Sequence, residues 1–290
     1  MKQKAYIGID MGGTAIKGGL VSPNGKLIRC HWIPVSAPRS KKKTVQEVIA
    51  FINVLARSTP KPGAIGLGWP ATVNIALSGK EIVTIIKRKF GLPVFLENDA
   101  SCFTLSEALI GSGKDFPVVL GITLGTGVGS GLVINKQIYQ GRKSAPEFGH
   151  TTIDHQGPRC SCGNRGCLEA YLGKTGMAKM ARRFHLKPAD GLTLYQAARK
   201  GNRRALKLWN EFGKLLGIGL VNALNCFEPN VIVIGGGVSK AWPFFSASMR
   251  KEMDRRSFHN SCPIKLSRLE NSGIIGATLM ARQNFDKFRE

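Results

Sequence analysis

Short apolar runs punctuated by glycine open the chain. Residues 6–10, Tyr6-Ile7-Gly8-Ile9-Asp10, read as a buried strand, followed by Gly12-Gly13-Thr14 and a second strand over 15–21. A third stretch, 27–34, completes an antiparallel start. The period then changes. Val45, Val48, Ile49, Ile52 and Leu55 recur at three- and four-residue spacing and predict a helix over 44–58. Residues 64–68 read as a buried strand, 80–90 as a helix, 93–96 as a strand and 100–110 as a helix. That order implies a sheet covered by helices.

The opening pattern then recurs. Residues 118–123 read as a strand, Gly125-Thr126-Gly127-Val128-Gly129 as a glycine turn and 130–134 as the returning strand. Two lobes of related topology account for this, with a boundary at Gly111-Ser112-Gly113. Helices follow over 173–184, 193–200 and 203–226. A buried strand over 231–234 ends in Gly235-Gly236-Gly237, and a last helix covers 275–288.

At 290 residues the chain can bury a large core or two lobes. No apolar stretch is long enough for a membrane span and no secretory leader is visible, so a cytoplasmic, reducing setting is expected. Lys and Arg number 42 against 18 Asp and Glu, a formal charge of +24. These cations are spread along the sequence. The one dense run, 39–43, falls in a Ser/Pro-rich stretch read as a loop without aromatic interleaving. The charge therefore reads as background, and nucleic acid is not an expected partner.

Chemistry concentrates further along. Cys160, Cys162 and Cys167 lie close together around two glycines, and three thiolates with one imidazole make a tetrahedral zinc set. His150 and His155 are both near, and spacing favours neither. Cys30, Cys102, Cys226 and Cys262 stand singly and are expected in the core. Glu147 and Glu169 flank the cluster, so a metal here would bring two acidic groups onto one surface.

The glycine turns offer backbone N–H groups that no Cβ obstructs. Gly12, Gly13 and Thr14, then Gly125, Thr126 and Gly127, then Gly236 and Gly237 all sit at strand ends, which points to nucleotide phosphates. Lys17 adds charge, and Asp10 is placed to act on a magnesium ion or its waters. A Walker pattern fails because Asp115 follows Gly113-Lys114 where Ser or Thr is required. A dinucleotide fingerprint fails because each hairpin returns as a strand rather than a helix. Glu97-Asn98-Asp99-Ala100 joins a strand to a helix. Asp99 can accept a proton from a substrate hydroxyl and Asn98 can bond the adjacent one, with a helix N-cap as the competing role.

Together these motifs resemble the ROK family (repressor, open reading frame, kinase) of the sugar kinase, Hsp70 and actin ATPase fold. The resemblance rests on Gly8 to Thr14, Glu97 to Ala100, Leu124 to Gly129, Glu147-Phe148-Gly149-His150, the cysteine cluster and Ile234 to Ser239. It implies a two-lobed α/β, ribonuclease H-like fold with duplicated βββαβαβα lobes and a zinc-binding insertion. The first lobe would cover 1–110, with the helix over about 277–290 packing back on it. The second would cover 111–276, including the zinc segment 147–169. It implies ATP- and magnesium-dependent phosphorylation of a hexose, glucokinase-like, with Asp99 as base, and a homodimer as in relatives. It implies that Asn98, Glu147, His150 and Glu169 contact sugar hydroxyls, and that His150, not His155, joins Cys160, Cys162 and Cys167 on zinc. An N-acetylglucosamine or N-acetylmannosamine kinase is the alternative enzyme, and a non-catalytic sugar-sensing regulator the alternative of another class. No DNA-binding extension precedes the first strand, which counts against the repressor branch. The chain departs from the family at Trp69-Pro70-Ala71, at Pro146 and in a shortened segment after Val73, which puts sugar preference in question.

Overall fold

A computed structural model describes residues 5–12, 15–34, 40–70, 78–143, 145–187, 189–258 and 262–287. The chain divides into two compact units. The first holds residues 1–115, 136–138 and 268–290; the second holds 116–135 and 139–267.

The first unit is built on a five-stranded sheet of β1 (Ala5–Met11), β2 (Ala15–Val21), β3 (Leu27–Pro34), β4 (Pro62–Gly68) and β5 (Val94–Glu97), ordered β3-β2-β1-β4-β5. The first three strands pair antiparallel, and β4 and β5 run parallel to β1. Helices α1 (Lys41–Ala56), α2 (Gly79–Phe90) and α3 (Asp99–Leu109) follow in sequence, and the last helix, α9 (Ser272–Lys287), returns to this unit. The apolar stripe of α1 buries Val48, Phe51, Ile52 and Leu55 against Ile7, Ile9, Ile16 and Leu20 of the sheet. Helix α9 packs on β1, β4 and α3. A Cβ on Gly276 would come within 1.7 Å of the Cys102 carbonyl oxygen, so only glycine lets these helices approach so closely.

Two sequence expectations are corrected here. Lys41, Lys42 and Lys43 are not in a loop but form the first turn of α1. Ser40 caps that turn by accepting the Lys43 N–H at 3.2 Å. Cations at a helix N-terminus oppose the helix dipole, and Lys41 is offset by Glu81 at 2.6 Å. Of the four single cysteines only Cys102 is in the core. Cys30 is exposed on edge strand β3, and Cys226 and Cys262 are exposed and half-buried.

A second sheet is ordered β10-β9-β6-β7-β8, from β6 (Val118–Leu124), β7 (Val128–Ile134), β8 (Gln137–Ile138), β9 (Val231–Gly235) and β10 (Ile264–Leu266). Strands β6 and β7 form the antiparallel hairpin, with β9 and β10 running parallel to β6. Read from β8, the order repeats that of the first sheet, which is the duplication the glycine hairpins implied. The helices are α4 (Leu168–Leu172), α5 (Lys174–Arg183), α6 (Gly191–Arg199), α7 (Arg203–Phe227) and α8 (Trp242–Arg256). Trp209 and Phe212 of α7 pack with Phe245 of α8, with ring centroids 5.2 Å apart for the two phenylalanines.

Candidate active site and metal centre

The segment after β7 is folded by its own backbone and glycines. Isolated bridges join Thr152 to Cys167 and Arg159 to Arg165, giving a tight ribbon that brings the cysteines back towards His150. The Tyr171 hydroxyl ties the ribbon to α4 by donating to Asp154 Oδ2 at 2.8 Å. Tyr171 is pushed up to about 12, first by burial and then by that carboxylate.

One ligand atom from each of His150, Cys160, Cys162 and Cys167 lies within 4.8 Å of the other three. His155 is not in the group. His150 Nδ1 is 3.6 Å from Cys160 Sγ, and Cys162 Sγ is 3.7 Å from Cys167 Sγ. A tetrahedron with zinc–sulfur bonds of about 2.3 Å has edges of about 3.8 Å, so these spacings fit a zinc ion. Without a cation, burial and the neighbouring sulfurs push the Cys167 thiol up to about 12, whereas the Asn164 backbone N–H holds Cys162 below its ordinary value, so a metal would have to displace the Cys167 proton on binding. Because Nδ1 faces the cluster, the other ring nitrogen of His150 remains for a second partner.

Glu147 is exposed between buried Pro146 and Phe148. The buried Ser130 hydroxyl on β7 donates to the Pro146 carbonyl at 2.6 Å and accepts the Phe148 N–H at 2.9 Å. Phe148–His150 then forms one 3-10 turn. Glu169 lies in the first turn of α4, where its Oε2 accepts the Val128 N–H at 2.9 Å. The Glu169 carboxylate is therefore bonded at the start of β7, next to the glycine turn, and the backbone on either side of Glu147 is held by the same strand. Within that turn Thr126 is exposed, and a Cβ on Gly125 or on Gly237 would meet nothing within 4 Å. Gly236 and Gly237 follow the buried end of β9 and are exposed.

The first unit carries the other candidates. Asp10 near the end of β1, Gly68 at the end of β4 and Glu97 at the end of β5 lie at the carboxyl ends of neighbouring parallel strands. Ligands collect at such ends in open α/β sheets. Asn98 caps α3 by accepting the Ala100 N–H at 2.8 Å and the Ser101 N–H at 3.1 Å, so the capping role is real and engages Oδ1. The Asn98 amide donors are what it can offer a hydroxyl. Asp99 is the first residue of α3. Cys102, one turn on, has its thiol held well above the usual range by burial and then by the charges of Glu97, Asp10 and Asp99. A Cβ on Gly68 would lie 3.5 Å from Asp99 Cα and 3.6 Å from Cys102 Sγ, so the end of β4 and the first turn of α3 meet there. Asp10 itself is raised by burial, partly offset by Lys17, its cross-strand partner on β2. A Cβ on Gly273 would be 2.5 Å from Asp10 Oδ2, so the carboxylate abuts the first turn of α9.

Gly12 donates its N–H to the Ala15 carbonyl at 3.0 Å, closing the first hairpin. Gly13 and Thr14 lie outside the described residues, as do Ala71 and the stretch 71–77 where the shortened segment falls. Ser130 and Glu97 had no separate role in the sequence reading. A serine in an alternating strand and a glutamate ending one carry no local signal of what they hold.

The sequence profile of the ROK family matches residues 6–284. The chain is 31% identical to an N-acetyl-D-glucosamine kinase of Vibrio parahaemolyticus, over 95% of this chain and 99% of the relative. It is also 31% identical to a xylose repressor of Bacillus spizizenii, over 98% of this chain and 79% of that protein. Among solved structures it is similar to a ROK family glucokinase from Streptomyces griseus in complex with glucose and AMPPNP. The TM-score is 0.84 at 27% identity, covering 96% of this chain and 99% of the other.

Proposed function

The chain belongs to the ROK family, and from that premise we propose that it is an ATP-dependent sugar kinase that phosphorylates a hexose hydroxyl, glucose foremost. The observation that carries the reading is the placement of Asp10 and Glu97 at the carboxyl ends of β1 and β5 with Asp99 opening α3 directly after β5.

Asp99 takes the proton of the attacking sugar hydroxyl as that oxygen bonds the γ-phosphorus and ADP departs. Asn98, fixed by its own cap, donates to a neighbouring hydroxyl. Glu147 and Glu169 accept from sugar hydroxyls. His150 uses one ring nitrogen for the metal and the other for the sugar. The N–H groups and hydroxyls of Gly13, Thr14, Thr126 and Gly127 receive phosphate oxygens beside Gly12 and Gly125, whose own N–H groups close the two turns on the Ala15 and Gly127 carbonyls and whose missing Cβ atoms let the phosphates approach. Lys17 adds charge, and exposed Gly236 and Gly237 leave room for the rest of the nucleotide. A magnesium ion beside Asp10 would neutralise phosphate charge. A zinc held by four protein ligands has no open position and shapes the sugar side without touching the chemistry.

An ADP-release assay across glucose, mannose, N-acetylglucosamine and N-acetylmannosamine tests this. Turnover on glucose above the others supports the reading, and preference for an acetylated amine selects the alternative kinase. Sugar binding without turnover on any of the panel would return the chain to the regulator branch that the xylose repressor represents.

A further inference from the structure

Two carboxylates of the proposed sugar site are held in different ways. Glu169 is bonded through its own side chain to the Val128 N–H. Glu147 projects from a backbone segment whose flanking peptide groups are both gripped by one hydroxyl. Ser130 is 6% exposed, and its Oγ donates to the Pro146 carbonyl at 2.6 Å while accepting the Phe148 N–H at 2.9 Å. A hydroxyl is the smallest side-chain group that can donate and accept at once. The two peptide groups it spans are those on either side of Glu147.

We infer that Ser130 is a positioning residue that sets the sugar-binding geometry of Glu147. The inference rests on the kinase reading for Glu147. The strand supplies the rigidity: Ser130 pairs with Ile122 in the β6–β7 ladder, so its Oγ is fixed by regular backbone rather than by a loop. The approach on the other side is equally constrained. A Cβ on Gly149 would stand 2.0 Å from the Val128 carbonyl oxygen, so the turn carrying His150 rests directly on the same strand. With the hydroxyl removed, the Pro146 carbonyl and the Phe148 N–H are left buried without that partner. Glu147 then loses its fixed exit from the core, while the metal ligands and the glycine turn keep their own supports.

The test is a set of variants: Ser130→Ala, Ser130→Thr, Glu147→Gln and the double Ser130→Ala/Glu147→Gln. Removal of two buried hydrogen bonds is expected to raise KM for sugar about ten-fold. Turnover and KM for ATP are expected to stay within about three-fold, because uniform sugar binding is what is lost. Ser130→Thr, which keeps the hydroxyl, restores the sugar KM. In the Glu147→Gln background Ser130→Ala adds nothing, since it acts through Glu147. Zinc content is unchanged throughout. The inference is overturned by equal rises in both KM values, or by an additive effect in the double variant. Exchange of the Phe148 amide provides a readout independent of catalysis. It should quicken at least ten-fold in Ser130→Ala relative to the global unfolding limit, and unchanged protection also overturns the inference. Wild-type protein inactive on every sugar would remove the kinase reading, and the amide measurement would still decide whether Ser130 holds this segment.

Discussion

Glu169 Oε2 accepts the backbone N–H of Val128 at 2.9 Å, which joins the cysteine segment to the glycine turn of the β6–β7 hairpin. A Cβ on Gly127 would lie 2.2 Å from that same oxygen. The groups assigned to the sugar and to phosphate in this unit are thus neighbours through one hydrogen bond. A change on one side is felt on the other.

Gly127→Ala should expose that linkage. The added methyl displaces the Glu169 carboxylate from the Val128 N–H, while the rest of the hairpin keeps its ladder. A charge-assisted bond of this kind is worth about 1.5–3 kcal/mol, so KM for sugar and KM for ATP should both rise about ten-fold or more. Steady-state kinetics with each substrate varied in turn checks this. A rise confined to ATP would remove Glu169 from the sugar contacts.

Asp99→Asn should lower turnover by roughly 10²–10⁴-fold, the contribution of a well-placed base, while sugar and nucleotide still bind. Calorimetric titration beside the rate assay separates the two. The substitution leaves the Asn98 cap of α3 in place, so thermal stability should hardly change. Near-normal turnover would reduce Asp99 to a first-turn helix residue.

The hairpins, the glycine turns and the cysteine cluster were legible in the sequence because each is a local pattern: a period of two, a missing Cβ, a ligand spacing. Helix α8 was not. Only Phe245, Met249 and Met253 form its buried row, a four-residue spacing within a segment dense in charge, and Pro243 at its start reads as a break. Strand β10 is three residues long and gives no period at all. In the site, Asn98 had two competing roles in the sequence, and the geometry assigns capping to its carbonyl oxygen without consuming its amide donors. Ser130 was invisible because its partners, Pro146 and Phe148, lie 16 and 18 residues on and bond through backbone, which no residue type advertises.

Cys162→Ser should lower bound zinc and raise KM for sugar, leaving the chemical step intact. A metal with four protein ligands has no open position for water or substrate. Its loss would loosen the ribbon that carries His150 and the start of α4, and with them the sugar contacts. Metal analysis by emission spectroscopy, run beside kinetics, checks this. Full activity in zinc-free protein would show that the backbone ribbon holds its shape without the ion.

Asp10→Asn should stabilise the fold and disable the enzyme together. Burial raises the Asp10 carboxyl above its ordinary value, with Lys17 only partly opposing. The folded pKa therefore exceeds the unfolded one, the folded state holds the proton longer, and stability from this group falls as pH rises between the two values. Above that window the whole cost of the buried charge remains; below the unfolded value, about 3.9, it vanishes. The amide carries no such cost, so the variant should match the wild type in acid and exceed it near neutrality by about 1 kcal/mol, a common gain when a functional strain is relieved. Denaturant melts across that pH range read this directly. Millimolar magnesium should then narrow the gap by stabilising only the wild type, since a cation that binds the folded carboxylate shifts unfolding by mass action. A wild type whose stability rises through the same window, or a variant that gains from magnesium as much as the wild type, would show that the carboxylate is held by other groups and is not the metal-facing residue of this site.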